Sequence, residues 1–536
     1  MTIVSNEAFR RCTGLVTERT LEGMLASAAE RWPEREFLRI GDDRRTFSQV
    51  HRDAAAMAAV LHDRGARPGD RIALVLSNCM ELVTLLFASW RIGAVAVPIV
   101  PIYRTREMRS IFADARPRLI FASSEYGSRS PCLDADDALQ GLEFQPDARF
   151  VIGAGETPDG WEALPVVADG SSGPAHPGEA SDPCVILYTS GTTSAPKGVL
   201  ASAAGFTSAL DAWRLDLGLS IEDVTFTGAP LAHLGGIYTA VLLPLSLGGR
   251  SVVLPRWDPE IAIDLIEQER ATIAAGATVF LRDLVERYER GSSPGHHLKI
   301  FSSSGAPTPP NLIRRADAQG IYAFRSYGMT ECLGTIAHPR FGTPLEMRAE
   351  TDGRVAFGSE IEIVDDERQP VEAGTLGHIR LRSPQLMLGY TLAELNDAQI
   401  DEHGWFYPGD LGRLDGDRNL TMEGRTKDII NRGGEKFSCQ DIESAILKHD
   451  AVAEAAVLGK PDEKFGEVVA AFVVLSPGKV WPGDEAMCAH METLSLARQK
   501  IPVDWRVVSE FPRTASGKIQ KQALSAEFER AASAVL

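Results

Sequence analysis

Short apolar runs alternate with stretches of helical spacing along the first 180 or so residues. Leu21 to Glu30 and Phe47 to Arg64 place apolar residues at the three- and four-residue intervals of a helix face. Arg71-Ile72-Ala73-Leu74-Val75-Leu76 is apolar almost throughout and reads as a buried strand. Met80 to Arg91 is a further helix, and Gly93-Ala94-Val95-Ala96-Val97-Pro98 a further strand. Continuously apolar strands between helices predict a parallel sheet covered on both faces. Gly170 to Ala180 is a loop, and Val185-Ile186-Leu187 beyond it is again a strand.

The alternation then repeats. Thr225-Phe226-Thr227 runs into Ala229-Pro230-Leu231-Ala232-His233-Leu234-Gly235-Gly236. Arg250 to Leu254 is a strand and Pro259 to Glu269 a helix. Strands Leu298 to Ser302 and Tyr322 to Phe324 end at Ser304-Gly305-Ala306-Pro307 and Arg325-Ser326-Tyr327-Gly328-Met329-Thr330-Glu331. Three small-residue loops thus come after three strands. Ligands of parallel sheets sit beyond the carboxyl ends of strands, so these loops are expected to converge.

Near residue 350 the period changes to two. Glu360 to Val364 and His378 to Arg382 alternate apolar and polar residues, punctuated by Asp352-Gly353 and Ala373-Gly374, which predicts an antiparallel, barrel-like subdomain. After Gly424 a small α+β domain is expected: helix Gln440 to Lys448, strands Val452 to Leu458 and Val468 to Leu475, helix Glu485 to Gln499 and strand Trp505 to Val508.

Composition narrows the class. The 536 residues allow more than one domain. Seven scattered cysteines form no Cys-x-x-Cys pair, which argues against a disulfide framework or structural zinc and for a reducing compartment. The N-terminus has no basic segment followed by an apolar one, and no apolar run reaches membrane-spanning length, so the expected location is cytoplasmic. A net charge of −18 disfavours nucleic acid as a partner. From Arg425 onward the charge is only −1 (15 basic, 16 acidic residues), so −17 lies upstream. Help for an anionic ligand must come from local clusters, Arg425/Lys427/Arg432/Lys436 and Arg513/Lys518/Lys521.

The candidate chemistry begins at Thr189-Ser190-Gly191-Thr192-Thr193-Ser194-Ala195-Pro196-Lys197, directly after a strand. Hydroxyls, glycine and one lysine in a single loop suit a polyphosphate. It is not the Gly-x-x-x-x-Gly-Lys-Ser/Thr loop, because Lys197 lies between Pro196 and Gly198. Four further motifs come in order: Ser326-Tyr327-Gly328-Met329-Thr330-Glu331, Trp405-Phe406-Tyr407-Pro408-Gly409-Asp410, Gly424-Arg425-Thr426-Lys427-Asp428, and Ser516-Gly517-Lys518. In this order and spacing the chain resembles the adenylate-forming superfamily: acyl- and aryl-CoA synthetases, carrier-loading adenylation domains and beetle luciferases. Lys427 to Lys436 is similar to dihydroxybenzoate-AMP ligases and to alicyclic or medium-chain acyl-CoA ligases.

The resemblance implies an α/β fold: a large N-terminal domain (1–424) of two doubly wound mixed sheets plus the barrel-like subdomain, and a small, mobile α+β C-terminal domain. The subdomains are expected at about 1–180, 181–345 and 346–424, a hinge at 425–431 and the mobile domain at 432–536. It implies a two-step ligase. ATP, with Mg²⁺, activates a carboxylic acid to an acyl-adenylate and diphosphate leaves; CoA then takes the acyl group and AMP leaves. Thr189, Ser190, Gly191, Thr192, Thr193 and Lys197 are implied to hold the β- and γ-phosphates. Thr330 meets the α-phosphate and Glu331 ligates Mg²⁺, where the alternative for Glu331 is a helix N-terminal charge. Gly305, Ala306 and Pro307 with Tyr327 form the adenine slot, and Ser326, Gly328 and Met329 are further nucleotide-binding residues; plain core packing is the alternative for Tyr327. Asp410 accepts from the ribose hydroxyls, unless it is an exposed turn carboxylate, and Arg425 reaches the ribose and phosphate side. Lys518 is the catalytic lysine between substrate carboxylate and α-phosphate. Lys427 is the hinge, and Gly433, Gly434, Glu435 and Lys436 line the CoA tunnel. His233 is either a gate beside the carboxylate or a structural histidine, and Leu234, Gly235, Gly236, Ser304 and Gly334 complete the acid pocket.

Some positions depart from the family pattern. Ser194 replaces a usual glycine, and Asn431 a lysine of some aryl-CoA ligases. Leu234 stands where dihydroxybenzoate ligases carry an asparagine that reads a ring hydroxyl. An apolar, bulky or alicyclic acid is therefore expected. The alternatives are a stand-alone ligase that stops at the adenylate or loads a carrier-protein phosphopantetheine, and a degenerate nucleotide-binding scaffold. A monomer or homodimer is expected.

Overall fold

The apolar runs build two large sheets. The computed structural model describes residues 19–525 apart from 155, 166–171, 190–195, 292–296, 433–434, 463, 495–496, 514–518 and 522. One sheet has the strand order Gly389–Tyr390, Lys197–Ser202, Pro183–Thr189, Val95–Ile99, Arg71–Val75, Leu119–Ser123, Ala148–Ile152, Glu162–Ala163. Its central strands pair in parallel. Ile72 and Leu74 pack with Leu82, Val83 and Leu86 of the helix Met80–Arg91. Ala73 and Val75, on the other face, pack with Met108, Ile111 and Phe112 of the helix Thr105–Ala115. Burial on both faces is why these strands are apolar almost throughout.

The second sheet runs Tyr322–Arg325, Ile300–Ser303, Ile273–Gly276, Val224–Thr227, Arg250–Val253, Glu36–Ile40, Asp43–Thr46. All its pairs are parallel except the last hairpin. The sheets do not divide the chain at residue 180. Residues 36–46 join the second sheet through Leu38 opposite Ser251, whereas 183–202 and 389–390 extend the first. Such pairings link residues two hundred apart, which local periodicity does not encode.

An ion cluster fastens the N-terminal hairpin to this sheet. Glu269 ends the helix Pro259–Glu269, where a carboxylate opposes the helix dipole. Arg44 (2.7 Å), Arg250 (2.9 Å) and Arg39 all pair with it. Burial pushes the Glu269 carboxyl up, but hydrogen bonds from Arg44 and Arg250 outweigh that and leave it at about 2. A folded-state value below the unfolded 4.5 stabilises the protein fully above pH ~4.5, and the contribution is lost as pH falls toward 2. Glu269→Gln is expected to cost about 2–3 kcal/mol at neutral pH. In urea melts the gap to wild type should narrow between pH 4.5 and 3; a gap independent of pH would count against this assignment.

The period-two region forms an antiparallel sheet in the order Glu360–Val364, Gly377–Arg382, Asp410–Leu414, Leu420–Arg425. Among the described residues its edge strands do not pair with each other. The small domain has Glu435–Ser438, Ile429–Arg432, Gly466–Leu475 and Val452–Asp462 in antiparallel order, with Asp504–Val507 parallel to Gly466–Leu475. Ile442, Ile446, Met487 and Met491 of its two helices cover one face. The helix expected to reach Gln499 ends at Thr493, whose hydroxyl bonds the His490 carbonyl (2.6 Å), and a 3₁₀ turn lies beyond it at Arg498–Lys500. No helix among the described residues is long and apolar enough to cross a membrane.

Candidate active site

Four strand ends, not three, meet at one edge of the second sheet. Ile273–Gly276 lies between Ile300–Ser303 and Val224–Thr227. The segment after it, Ala277-Thr278, was not among the expected site loops, although an apolar strand ending in small residues is the same signal the others carry. Thr278 Oγ1 donates to the Pro307 carbonyl (3.1 Å) and lies 2.9 Å from Thr308 Oγ1, which is 2.8 Å from Ser303 Oγ. Ser302 and Ser326 share a further hydroxyl contact at 3.0 Å, and the Ser304 N–H donates to the Gly276 carbonyl. These buried hydroxyls satisfy one another and fix the 304–307 loop. Gly305 sits there at φ +81°, which a side chain would strain.

Asp410 and Arg425 meet because they are cross-strand partners in the antiparallel sheet. Asp410 is 1% exposed, so the exposed-turn alternative fails. The Tyr327 hydroxyl donates to Asp410 Oδ2 (2.6 Å), and Arg425 Nε lies 3.1 Å from Oδ1. Burial and then the Asp410 charge push the Tyr327 phenol well up, so it stays a donor. One carboxylate thus ties the 326–331 loop to the strand Leu420–Arg425.

Glu331 lies in a three-residue 3₁₀ turn, Thr330–Cys332, too short for a helix-terminus role. Tyr390 OH donates to its Oε1 (2.8 Å), and burial with the Glu331 charge raises the Tyr390 phenol. Tyr390 also lies under Lys197, whose Nζ is 5.7 Å from the ring centroid. It reaches both because Gly389–Tyr390 adds itself to Lys197–Ser202 as an edge strand, Tyr390 opposite Val199. Asp114 supports the same corner by accepting from Tyr188 (2.5 Å) and Thr391 (2.7 Å). Neither Tyr390 nor Asp114 stands out in the sequence; the short strand around Tyr390 carries no period of its own.

His233 precedes a short helical turn and its Nδ1 accepts from the Gly235 N–H (3.4 Å). Asn78 holds the start of this loop: it donates to the Ala229 carbonyl and accepts from the Leu231 N–H, while also bonding Leu254. The glycines differ. A Cβ at Gly236 would meet the Pro230 carbonyl at 2.2 Å, so close backbone packing requires that glycine. At Gly235 the nearest atom is 3.9 Å away. Gly334 faces the Tyr238 ring and Ala209 at contact distance, and Trp213 packs edge-on against Tyr238. Leu234 is buried.

The segment expected to act as the hinge forms a 3₁₀ turn at Thr426–Asp428, and the Ser438 hydroxyl donates to the Glu423 carbonyl beside Gly424. Backbone is described at Lys427, Glu435 and Lys436, which lie in that turn and in the Glu435–Ser438 strand. Ser190, Gly191, Thr192, Thr193, Gly433, Gly434 and Lys518 lie outside the described residues.

Similarity to known proteins matches this layout. The family described as "AMP-binding enzyme" matches residues 25–391, and its C-terminal domain matches 441–518. The chain is 32% identical over 491 residues to the medium-chain fatty-acid–CoA ligase of Escherichia coli, covering 90% of this chain and 86% of that one. It is 30% identical to the indoleacetate–CoA ligase of Aromatoleum aromaticum over 92% of this chain and 93% of the other. Among solved structures, an anthranilate CoA ligase in complex with anthranoyl-AMP superposes with a TM-score of 0.86 at 26% identity, covering 96% and 98% of the two chains.

Proposed function

The chain belongs to the AMP-binding enzyme family, and from that premise we propose its chemistry in two steps. It is an AMP-forming carboxylic acid–CoA ligase: ATP activates a carboxylic acid as an acyl-adenylate, and CoA then receives the acyl group. The observation that carries the reading is the buried Asp410 carboxylate, which accepts from the buried Tyr327 hydroxyl and pairs with the partly exposed Arg425 on the neighbouring strand. A buried carboxylate aimed from the large domain beside a strand-end loop suits the two hydroxyls of a ribose.

In this reading Thr189 and Lys197, with the loop between them, hold the phosphates, while Tyr390 keeps Glu331 and Lys197 in register. Among the described residues no cluster of three metal-binding side chains occurs. A single carboxylate fits Mg²⁺, which keeps waters and phosphate oxygens as its other ligands. Bound there, Mg²⁺ would neutralise charge on the diphosphate that leaves. Tyr390→Phe removes the hydrogen bond that orients Glu331, and is expected to raise the Mg²⁺ concentration for half-maximal adenylation about tenfold. A magnesium titration of pyrophosphate exchange checks this, and an unchanged midpoint would remove Tyr390 from the role.

Leu234, the open side of Gly235 and the Tyr238–Trp213 wall favour an apolar acid. The deciding experiment supplies purified enzyme with ATP, Mg²⁺ and octanoate, cyclohexanecarboxylate, phenylacetate or 2,3-dihydroxybenzoate, with and without CoA. AMP and acyl-CoA from the apolar acids are expected. Adenylation without any CoA thioester would favour transfer to a carrier protein, and preference for dihydroxybenzoate would sink the acid assignment.

A further inference from the structure

Both flanks of residues 514–518 are held by ion pairs to the small domain. Arg513 and Ile519 form an antiparallel bridge, and the Gln520 N–H donates to the Pro512 carbonyl (2.7 Å). Beyond them Lys521 pairs with the buried Glu443 (2.7 Å), whose carboxylate also accepts from the Val457 N–H (2.7 Å). On the near side Arg513 pairs with Oε2 of Glu454. Val457 and Glu454 lie on one strand, Val452–Asp462, so this strand anchors both flanks.

Glu454 differs from Glu443 in one respect: its other oxygen leaves the small domain. Arg282 of the large domain donates from Nη1 to Glu454 Oε1 at 2.8 Å and from Nη2 toward the Ala453 carbonyl at 3.5 Å. Arg282 and Glu454 side chains are only 22% and 19% exposed, so the pair is largely shielded from solvent. Arg282 stands four residues, about 6 Å of helix rise, beyond Thr278, the residue that bonds the 306–308 loop. One carboxylate therefore connects the base of the Lys518 segment to the helix that starts at the nucleotide loops.

We infer that Glu454 is a positioning residue for adenylation: by bridging Arg282 and Arg513 it favours the domain orientation seen here, which ties the described residue bordering the Lys518 segment to the helix after the nucleotide loops. This rests on the reading of Lys518 as the adenylation lysine. The second half-reaction needs a different orientation, so the bridge should matter for the first and not for the second.

The test separates the half-reactions, with octanoate or the best acid of the four named for the function. Pyrophosphate exchange reads adenylation; single-turnover reaction of CoA with purified acyl-adenylate reads thioester formation. Glu454→Gln and Arg282→Gln are each expected to slow exchange about tenfold, between the small effect of an exposed pair and the larger cost of a buried charge left alone. Thioester formation should stay within twofold of wild type. The double variant should be no slower than the slower single, because both remove one interaction. Arg282→Gln leaves the small domain untouched and keeps the test valid should Glu454→Gln fold poorly. Additive losses, equal losses in both half-reactions, or exchange within twofold of wild type would overturn the inference. Absence of exchange in the wild-type enzyme would instead refute the adenylation reading itself.

Discussion

Lys518→Ala is expected to lower pyrophosphate exchange about a thousandfold and to leave thioester formation from a supplied acyl-adenylate nearly intact. The first step brings a carboxylate against a polyphosphate, two anions that repel until a cation lies between them. The upstream chain carries almost all of the −18 net charge, so the field of the large domain opposes the encounter. A lysine Nζ placed between the carboxylate and the α-phosphate answers charge that develops as the new P–O bond forms. Loss of one such preorganised donor costs about 10²–10³ in rate. In the second step the thiol attacks a neutral carbonyl of the adenylate, and the lysine is no longer needed. Lys518→Arg, which keeps charge but not the compact ammonium, should recover only part of the loss. Measuring both half-reactions on the same preparation decides the matter: parallel losses in the two would mean that the substitution damages the fold, and intact exchange would revive the scaffold alternative.

The second large effect is expected at Asp410. Asp410→Asn keeps size and shape but removes the charge. One carboxylate presently accepts the Tyr327 hydroxyl and is ion-paired with Arg425, and in the proposed site it also receives the ribose hydroxyls. Hydrogen bonds to a charged group contribute about 1.5–3 kcal/mol each. An amide offers a single acceptor oxygen and turns its NH₂ toward a donor, so the apparent KM for ATP should rise about a hundredfold. Tyr327→Phe removes one donor from the same carboxylate and should raise it by about tenfold or less. The double variant should be less than multiplicative, since the two residues act on one carboxylate. The KM for the acid should not move in any of these variants; an effect confined to the acid would show that Asp410 serves the other pocket. Asp410→Ala is a poorer probe, because it strands a buried phenol and a guanidinium without their acceptor.

Much of this site was legible in the chain because it is made of strand ends. A buried parallel strand announces itself by an unbroken apolar run, and the residues after its last position must form a loop on the ligand edge. Thr189, Ser304 to Pro307 and Ser326 to Glu331 were found in that way. Ile273 to Thr278 carried the same signal more faintly, since Ala274 and Ala275 are small and the run is short. Tyr390 had no such signal. It enters the site because a two-residue strand docks on Lys197–Ser202, and a pairing between residues so far apart leaves no period in either segment. Asp114 is hidden likewise on a helix whose apolar face explains its neighbours but not its carboxylate. Glycine was legible as a residue type and ambiguous as a cause. Gly305 answers to backbone conformation, Gly236 to a carbonyl that leaves no room, and Gly235 to neither, since a Cβ there would make only an ordinary contact with His233.

Sequence alone determined the alternation of strands and helices, the change to period two near residue 350, the small domain at the end, and the order of motifs that marks an adenylate-forming ligase. These come from local chemistry: which residues bury, turn and bind phosphate is written within a few positions of each. Tertiary structure alone decided which sheet each strand joined, that Asp410 is buried under Tyr327 and beside Arg425, that Tyr390 holds Glu331, and that Glu454 spans from Arg513 to Arg282. Each of those facts is a contact that the fold makes between separate elements, and its energy comes from pairing polar groups that folding brings together and shields from water. No property of either residue's neighbours in sequence specifies that partner, so only the folded chain could.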